Sequence, residues 1–96
     1  MKSTSSIRRP MLSRHARYRW DAVREQHHIV FPEGLLVLNE SGAAIVRCCD
    51  GRPIAEIVAA LENQFQDAPL EPDVRAFLDR LFEKGLVFDA AGGADA

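Results

Sequence analysis

The sequence predicts an α+β fold in which three N-terminal β-strands precede three α-helices. Before position 39, apolar side chains recur at alternate positions, which is the period of a half-buried strand. After position 39 they recur every three or four positions, which is the period of an amphipathic helix. With 96 residues, 47% of them hydrophobic, the chain is expected to form one domain with a small core.

The three strands are expected within the first 38 residues. Arg17–Arg24 alternates apolar and polar side chains, and Glu25–His27 is a polar connector to a second strand, His28–Phe31. Pro32–Gly34 has the composition of a tight turn. The third strand, Leu35–Leu38, is apolar at every position, so we expect it to be covered on both faces.

The first helix is expected over about residues 40–49. Asn39 can cap it, because its side chain can accept a hydrogen bond from a backbone N–H one turn later. Gly51 can adopt the left-handed conformation that ends a helix. The predicted buried stripe consists of residues at i, i+3 and i+4: Ile45, Cys48 and Cys49.

Two further helices follow. Pro53 is compatible with the opening of the second helix, and the acidic residues of Glu71–Asp73 suit the positive end of the third helix dipole. Gly85 ends the third helix, and Leu86–Phe88 is either a final extended segment or a core plug. The predicted buried faces are Ile54, Ile57, Val58, Leu61 and Phe65 in the second helix, and Val74, Phe77, Leu78, Leu81 and Phe82 in the third.

Charge is distributed unevenly along the chain. No acidic residue precedes Asp21, whereas six basic residues do; from Asp21 onward, six basic against fourteen acidic residues give −8. We expect residues 1–9 to form a disordered basic arm and residues 90–96 an unstructured tail, with the domain at 10–89. The arm is interpreted either as a solvated tail or as a segment that contacts an acidic partner.

Residues for catalysis or metal binding are scarce. Cys48 and Cys49 lie on a predicted apolar stripe, so we assign them to the core. His27 and His28 are neighbours in an extended segment and point to opposite faces, which disfavours a shared metal. We therefore expect no catalytic residue, no metal site, no cofactor and no enzymatic activity. Neither a membrane-spanning run nor a secretory signal is present, so we expect a cytoplasmic location without membrane contact.

Binding is the better class of function. A small sheet with three helices is compatible with a winged-helix-like domain, which makes DNA binding the alternative. Acidic side chains on the second and third helices would repel phosphates, which argues against a nucleic-acid partner. Peptide binding by addition of a strand beside Leu35–Leu38 fits better. The sequence leaves open whether this strand has a free edge or lies inside the sheet.

The order and spacing of several short motifs resemble the PqqD family. These motifs are Pro32-Glu33-Gly34, Leu38-Asn39-Glu40-Ser41, Cys49-Asp50-Gly51, the stripe from Ile54 to Leu61, and Asp73-Val74 with Phe77-Leu78, Leu81 and Gly85-Leu86. The resemblance covers about residues 9–88. It implies a winged-helix-like chaperone of pyrroloquinoline quinone (PQQ) biosynthesis that binds the ribosomally made precursor peptide PqqA by strand addition. It further implies that the bound peptide is presented to the radical SAM enzyme PqqE.

The resemblance also implies where the peptide lies. It is expected to add beside the third strand and to rest against the third helix, at Leu35, Leu36, Val37, Leu38, Asp73, Arg75, Ala76, Asp79 and Arg80. Pro53 departs from the family pattern, because the family often has a Ser or Thr there that can cap the second helix. A homodimer is left open, since an N-terminal strand beside an arm can pair between two chains.

Overall fold

A computed structural model describes residues 7–91 of the chain. It confirms the α+β class and the order of strands before helices, and adds a short strand at each end. The elements are β1 (Pro10–Leu12), β2 (Arg17–Asp21), β3 (Gln26–Phe31), β4 (Gly34–Leu38), α1 (Glu40–Arg47), α2 (Ile54–Gln64), α3 (Glu71–Glu83) and β5 (Val87–Asp89).

The main sheet is antiparallel, with the strand order β2-β3-β4. Its central strand, β3, pairs on one side with β2 and on the other with β4. Strand β4 therefore lies at an edge, and it has no second strand partner within residues 7–91. The question that the sequence left open is thus resolved in favour of an open edge.

The first hairpin turns earlier than predicted. Strand β2 ends at Asp21, and the turn occupies residues 22–25 rather than Glu25–His27. The cause is Asp21, whose Oδ1 accepts hydrogen bonds from the backbone N–H groups of Val23 and Arg24, each at 3.1 Å. Such a side-chain-closed turn interrupts the strand even though the alternating pattern continues to Arg24.

A second, two-stranded sheet joins the two ends of the domain. Strands β1 and β5 pair antiparallel, and Met11 also bridges to Asp50. Of the alternatives for Leu86–Phe88, the structure therefore shows an extended segment, with Leu86 itself buried in the core. The sequence prediction missed β1 because it has only three residues.

Three residues assigned to the basic arm belong to the fold instead. Ile7 is buried, and the backbone N–H groups of Arg8 and Arg9 donate to the Asp89 carboxylate at 3.2 and 3.0 Å. The folded domain therefore includes residues 7–9. The remainder of the expected arm, residues 1–6, and residues 92–96 of the expected tail lie outside the described part of the chain.

Strand β4 is covered on one face only, which corrects the expectation of a doubly covered strand. Leu38 is buried and Leu36 half-buried, whereas Leu35 and Val37 are 50% and 53% exposed. Since side chains alternate between the faces of a strand, Leu36 and Leu38 face the helices and Leu35 and Val37 face away. Continuous apolar sequence thus reflects an exposed apolar face here, not burial.

The helices supply most of the core. The most deeply buried side chains include Ile57 and Leu61 of α2 and Val74, Leu78 and Leu81 of α3. Phe82, predicted to be buried, is 45% exposed. The helix α1 ends at Arg47, so Cys48 occupies the C-cap position and buried Cys49 lies just beyond it.

The predicted helix ends are largely confirmed. Asn39 Oδ1 accepts a hydrogen bond from the Gly42 backbone N–H at 2.7 Å and so caps α1. Pro53 precedes α2 without a side-chain cap, as the departure from the family pattern implied. At the end of α3, Gly85 has φ +76° and the Leu86 N–H donates to the Leu81 carbonyl at 2.9 Å, which is the Schellman arrangement.

Candidate functional site

A groove of about 380 Å³ lies between the open edge of β4 and α3. Leu36, Val37 and Leu38 contribute the strand side, followed by Asn39 at the start of α1. The helix side consists of Asp73, Phe77, Arg80, Leu81 and Lys84. The groove therefore combines the edge strand β4 with a mixed apolar and charged wall.

The floor of the groove depends on a close approach between α1 and α3. A Cβ atom added at Gly42 would stand 3.3 Å from Cζ of Phe77 and 3.0 Å from Oδ1 of Asn39. Both distances are tighter than ordinary van der Waals contact, so a side chain at position 42 would require the Phe77 ring or the Asn39 side chain to shift by a few tenths of an ångström. Phe77 remains half-buried, so part of its ring faces the groove.

The C-terminal end of α3 lies toward the beginning of β4. The segments that follow the C-terminal ends of α1 and α3 both contact the end of β1. Leu12 N–H donates to the Cys49 carbonyl at 3.1 Å, and Ser13 N–H donates to the Leu86 carbonyl at 2.8 Å. Ser13 lies four residues before β2, and the register places the beginnings of β2 and β4 at the same end of the sheet, because both pair with Val30 of β3. Lys84 therefore lies toward the beginning of β4, and Asp73 toward its end.

The charged side chains in the groove are available to a ligand. The ion pairs among residues 7–91 do not involve Asp73, Arg80 or Lys84. The guanidinium carbon of Arg80 lies 6.0 Å from the centroid of the Phe77 ring, a distance at which a cation is attracted to the ring face. Arg80 is thus held at the border between the apolar floor and the charged wall.

The structure brings together five of the nine residues predicted for the site. Leu36, Val37 and Leu38 line one side of the groove, and Asp73 and Arg80 line the other. The remaining four lie elsewhere: Leu35, Arg75, Ala76 and Asp79.

Those four residues have other surroundings. Leu35 points to the outer face of the sheet, near Arg19 and His28. Arg75, Ala76 and Asp79 line a separate hollow on another side of α3, where Arg75 Nε donates to Glu71 Oε2 at 2.9 Å. The Arg75 guanidinium also donates to the Ile7 carbonyl at 3.3 Å, so this side of α3 receives the N-terminal segment rather than β4.

Sequence reasoning missed Phe77 and Lys84 as groove residues. Phe77 was assigned to the core, and Lys84 was not among the individual residues expected to contact the peptide. A signal was present, because Asp73, Phe77, Arg80 and Lys84 are spaced i, i+4, i+7 and i+11 and so share one helical face. This face adjoins the buried stripe that was recognised.

The lining of the groove includes neither the two cysteines nor the two adjacent histidines. Burial raises the pKa of the Cys49 thiol to about 12, with Cys48 and Asp50 contributing, so the nucleophilic thiolate is disfavoured at neutral pH. His27 and His28 face opposite sides of the sheet: His27 contacts Tyr18 and Glu40, whereas His28 is buried beside Gln26. No group of three or more potential metal ligands occurs within residues 7–91.

The part of the chain that the structure describes contains no helix long and apolar enough to cross a membrane.

The fold and the groove define a class: a small winged-helix-like α+β domain whose open sheet edge lies beside its third helix. The family model for coenzyme PQQ synthesis protein D (PqqD) matches residues 26–87, from the start of β3 to the start of β5. The chain belongs to the PqqD family, which confirms the resemblance found in the sequence.

Individual relatives agree with this assignment. A PqqA binding protein of Azotobacter vinelandii is 40% identical over 80 residues, covering 81% of this chain and 87% of the relative. One from Methylococcus capsulatus is 36% identical over 72 residues, covering 74% and 77%. A solved structure is similar with a TM-score of 0.70 and 29% identity over 92% of this chain and 95% of that one. It is the solution NMR structure of the PqqD truncation of Methylobacterium extorquens PqqCD, described as a functional, stand-alone recognition element for ribosomally synthesised and post-translationally modified peptides.

Proposed function

We propose that this protein is a peptide chaperone of PQQ biosynthesis that binds the precursor peptide PqqA as an added strand on β4. The observation that carries the proposal is the open edge of β4 facing the charged and apolar wall of α3. An edge strand presents unpaired backbone groups that an extended peptide can satisfy, while the neighbouring wall reads its side chains. The relatives that are named PqqA binding proteins support the choice of peptide.

The test is a titration of the protein with fluorescently labelled PqqA. Saturable binding is expected, with chemical-shift changes at Leu36–Leu38 and at the groove face of α3. Arg75, Ala76 and Asp79 should change less, because they lie on another side of the helix. Because self-association competes for any open edge, the titration is repeated at several protein concentrations. Absence of binding at high micromolar peptide, with and without PqqE, would overturn the proposal.

The proposal includes presentation of the bound peptide to PqqE and no catalysis by this chain. The groove offers no paired nucleophile and base among its described side chains, and the Cys49 thiol is buried. Incubation of PqqA with this protein alone should leave the peptide mass unchanged. Addition of PqqE with its cofactors should link a Glu to a Tyr within the peptide, faster in the presence of this protein than in its absence. The two free cysteines fit the reducing cytoplasm in which we place this step.

A further inference from the structure

We propose that the groove reads the order of charges along the bound peptide, with Asp73 selecting a basic side chain at one end and Arg80 with Lys84 an acidic one at the other. This inference rests on the proposed function, since it concerns the same groove. It assigns specificity to three side chains and predicts the pattern of the segment that binds.

Acidic and basic groove residues lie at opposite ends of α3. Asp73 lies in the first turn of the helix, Arg80 in its last turn, and Lys84 at its C-cap. With a rise of about 1.5 Å per residue, Asp73 and Lys84 are about 16 Å apart along the helix axis. All three side chains line the groove, and the ion pairs within residues 7–91 include none of them. The two ends of the groove therefore carry opposite charge.

The spacing of the groove residues along α3 matches the spacing of alternate side chains in an extended peptide. Phe77 follows Asp73 by about 6 Å along the helix, and the midpoint of Arg80 and Lys84 follows Phe77 by about 7.5 Å. An extended peptide advances about 6.8 Å for every two residues, and alternate side chains point to the same side. Three alternate side chains of one peptide strand can therefore face Asp73, Phe77 and the basic pair in turn.

The bound peptide is expected to run antiparallel to β4. Both pairs of neighbouring strands in the main sheet are antiparallel. Antiparallel pairing is also slightly more stable per residue than parallel pairing. A peptide antiparallel to β4 begins near the end of β4, where Asp73 lies. The preferred segment then reads, from its N-terminus, basic, any residue, apolar, any residue, acidic. The apolar side chain rests on the half-buried Phe77 ring.

The experiment compares PqqA with three synthetic variants in which the segment that contacts β4 is replaced. One variant carries Lys-Ser-Leu-Ser-Glu, the second the reversed order Glu-Ser-Leu-Ser-Lys, and the third Gln-Ser-Leu-Ser-Gln. The first should bind about five- to tenfold more tightly than the second, the gain typical of well-placed charge pairs. The difference should shrink in 0.5 M salt, where the Debye length is only a few ångströms.

Protein variants make the assignment specific to the three side chains. Exchanging the charges in Asp73→Lys/Arg80→Glu/Lys84→Glu should reverse the preference between the two charged peptides. If this triple variant does not fold, Lys84→Glu alone, at an exposed position, should abolish most of the preference. Arg19→Glu is the matched control, because exposed Arg19 lies on β2, beyond β3 from the groove, and it should leave the preference unchanged.

The possible results separate this inference from the proposed function. If unmodified PqqA does not bind, the proposed function fails and the inference fails with it. If PqqA binds but the two charge orders bind equally, or none of the variants binds, the inference alone is overturned. A preference for the reversed order also overturns it, because the direction of the peptide is part of the proposal.

Discussion

The ring of Phe77 in α3 lies against Gly42 in the first turn of α1, where a Cβ atom would approach its Cζ to 3.3 Å. This contact sets how closely the two helices approach beneath the groove. It also joins the groove to the α1 cap, because Asn39 Oδ1 lies 3.0 Å from the same Cβ position. The floor of the groove and the junction between β4 and α1 therefore share one small residue.

Replacing Gly42 with Ala should weaken peptide binding more than it changes folding stability. Alanine favours a helix by about 1 kcal/mol over glycine, which offsets part of the crowding against Phe77 and Asn39. Displacement of the Phe77 ring should lower the affinity for PqqA several-fold, as measured by titration. The free energy of unfolding, measured with urea, should change by about 1 kcal/mol or less.

A double variant provides the control for the Gly42 prediction. Phe77→Leu removes the ring edge that the new methyl group would meet, so its effect on affinity should not add to that of Gly42→Ala. Strict additivity of the two changes in binding free energy would show that the contact between these residues does not shape the groove.

The sequence predicted the helices better than the edges of the sheets. Helical periodicity in α2 and α3 identified the residues that turn out to be most buried. Apolar residues that recur every three or four positions over eleven or more residues are a distinctive helix pattern. Strand β1 has three residues and is held by β5 from the far end of the chain. The local sequence carries no signal for pairing between two strands that lie so far apart along the chain.

The groove residues were predicted in part. The resemblance gave Leu36–Leu38 as part of the docking strand, and these residues line the groove on an edge strand; that they bind the peptide stays a prediction. On α3, the expected residues Arg75, Ala76 and Asp79 share a helix with the groove residues but occupy another side of it. Which side faces β4 depends on the packing of Phe77 against Gly42, a tertiary contact that helical periodicity alone does not specify.

Ile7 should contribute to stability although it lies in the segment expected to be disordered. It is 3% exposed and belongs to the core cluster. Ile7→Ala should therefore lower the free energy of unfolding by about 2–4 kcal/mol, the usual cost of removing a buried aliphatic side chain. Leu70→Ala, at a position 70% exposed, is the matched control and should cost less than about 1 kcal/mol. Equal effects in urea unfolding would show that Ile7 is not packed in solution.

Stability should fall in acid partly through Asp89. Desolvation acts to raise the pKa of this carboxyl group, but hydrogen bonds from the backbone N–H groups of Arg9, Ala91 and Arg8 outweigh it, so the pKa lies below its usual value. A carboxyl group whose pKa is lowered by folding stabilises the native state above its unfolded pKa of about 4. That stabilisation is lost as the pH falls through the native pKa.

Asp89→Asn should reveal this contribution. At pH 7 the variant should be less stable than the parent protein by roughly 1 kcal/mol, a discounted value for a partly exposed group. The difference should shrink as the pH is lowered from about 5 toward 2, as measured by urea unfolding. Asp67→Asn, in an exposed loop, is the control and should show no such convergence. A stability difference that is independent of pH would contradict the assignment of the effect to the ionised carboxylate.

Strand addition on β4 can be tested through the peptide backbone, separately from its side chains. Methylation of a peptide N–H removes a donor, so N-methyl groups placed one at a time along the bound segment should weaken binding at alternate positions by about tenfold or more. The intervening positions, whose N–H groups point away from β4, should tolerate methylation. In the protein, Val37→Pro removes an N–H from the edge strand and should also weaken binding, provided that circular dichroism shows a preserved fold. Equal tolerance of methylation along the whole segment would contradict strand pairing and indicate that the groove holds the peptide through its side chains alone.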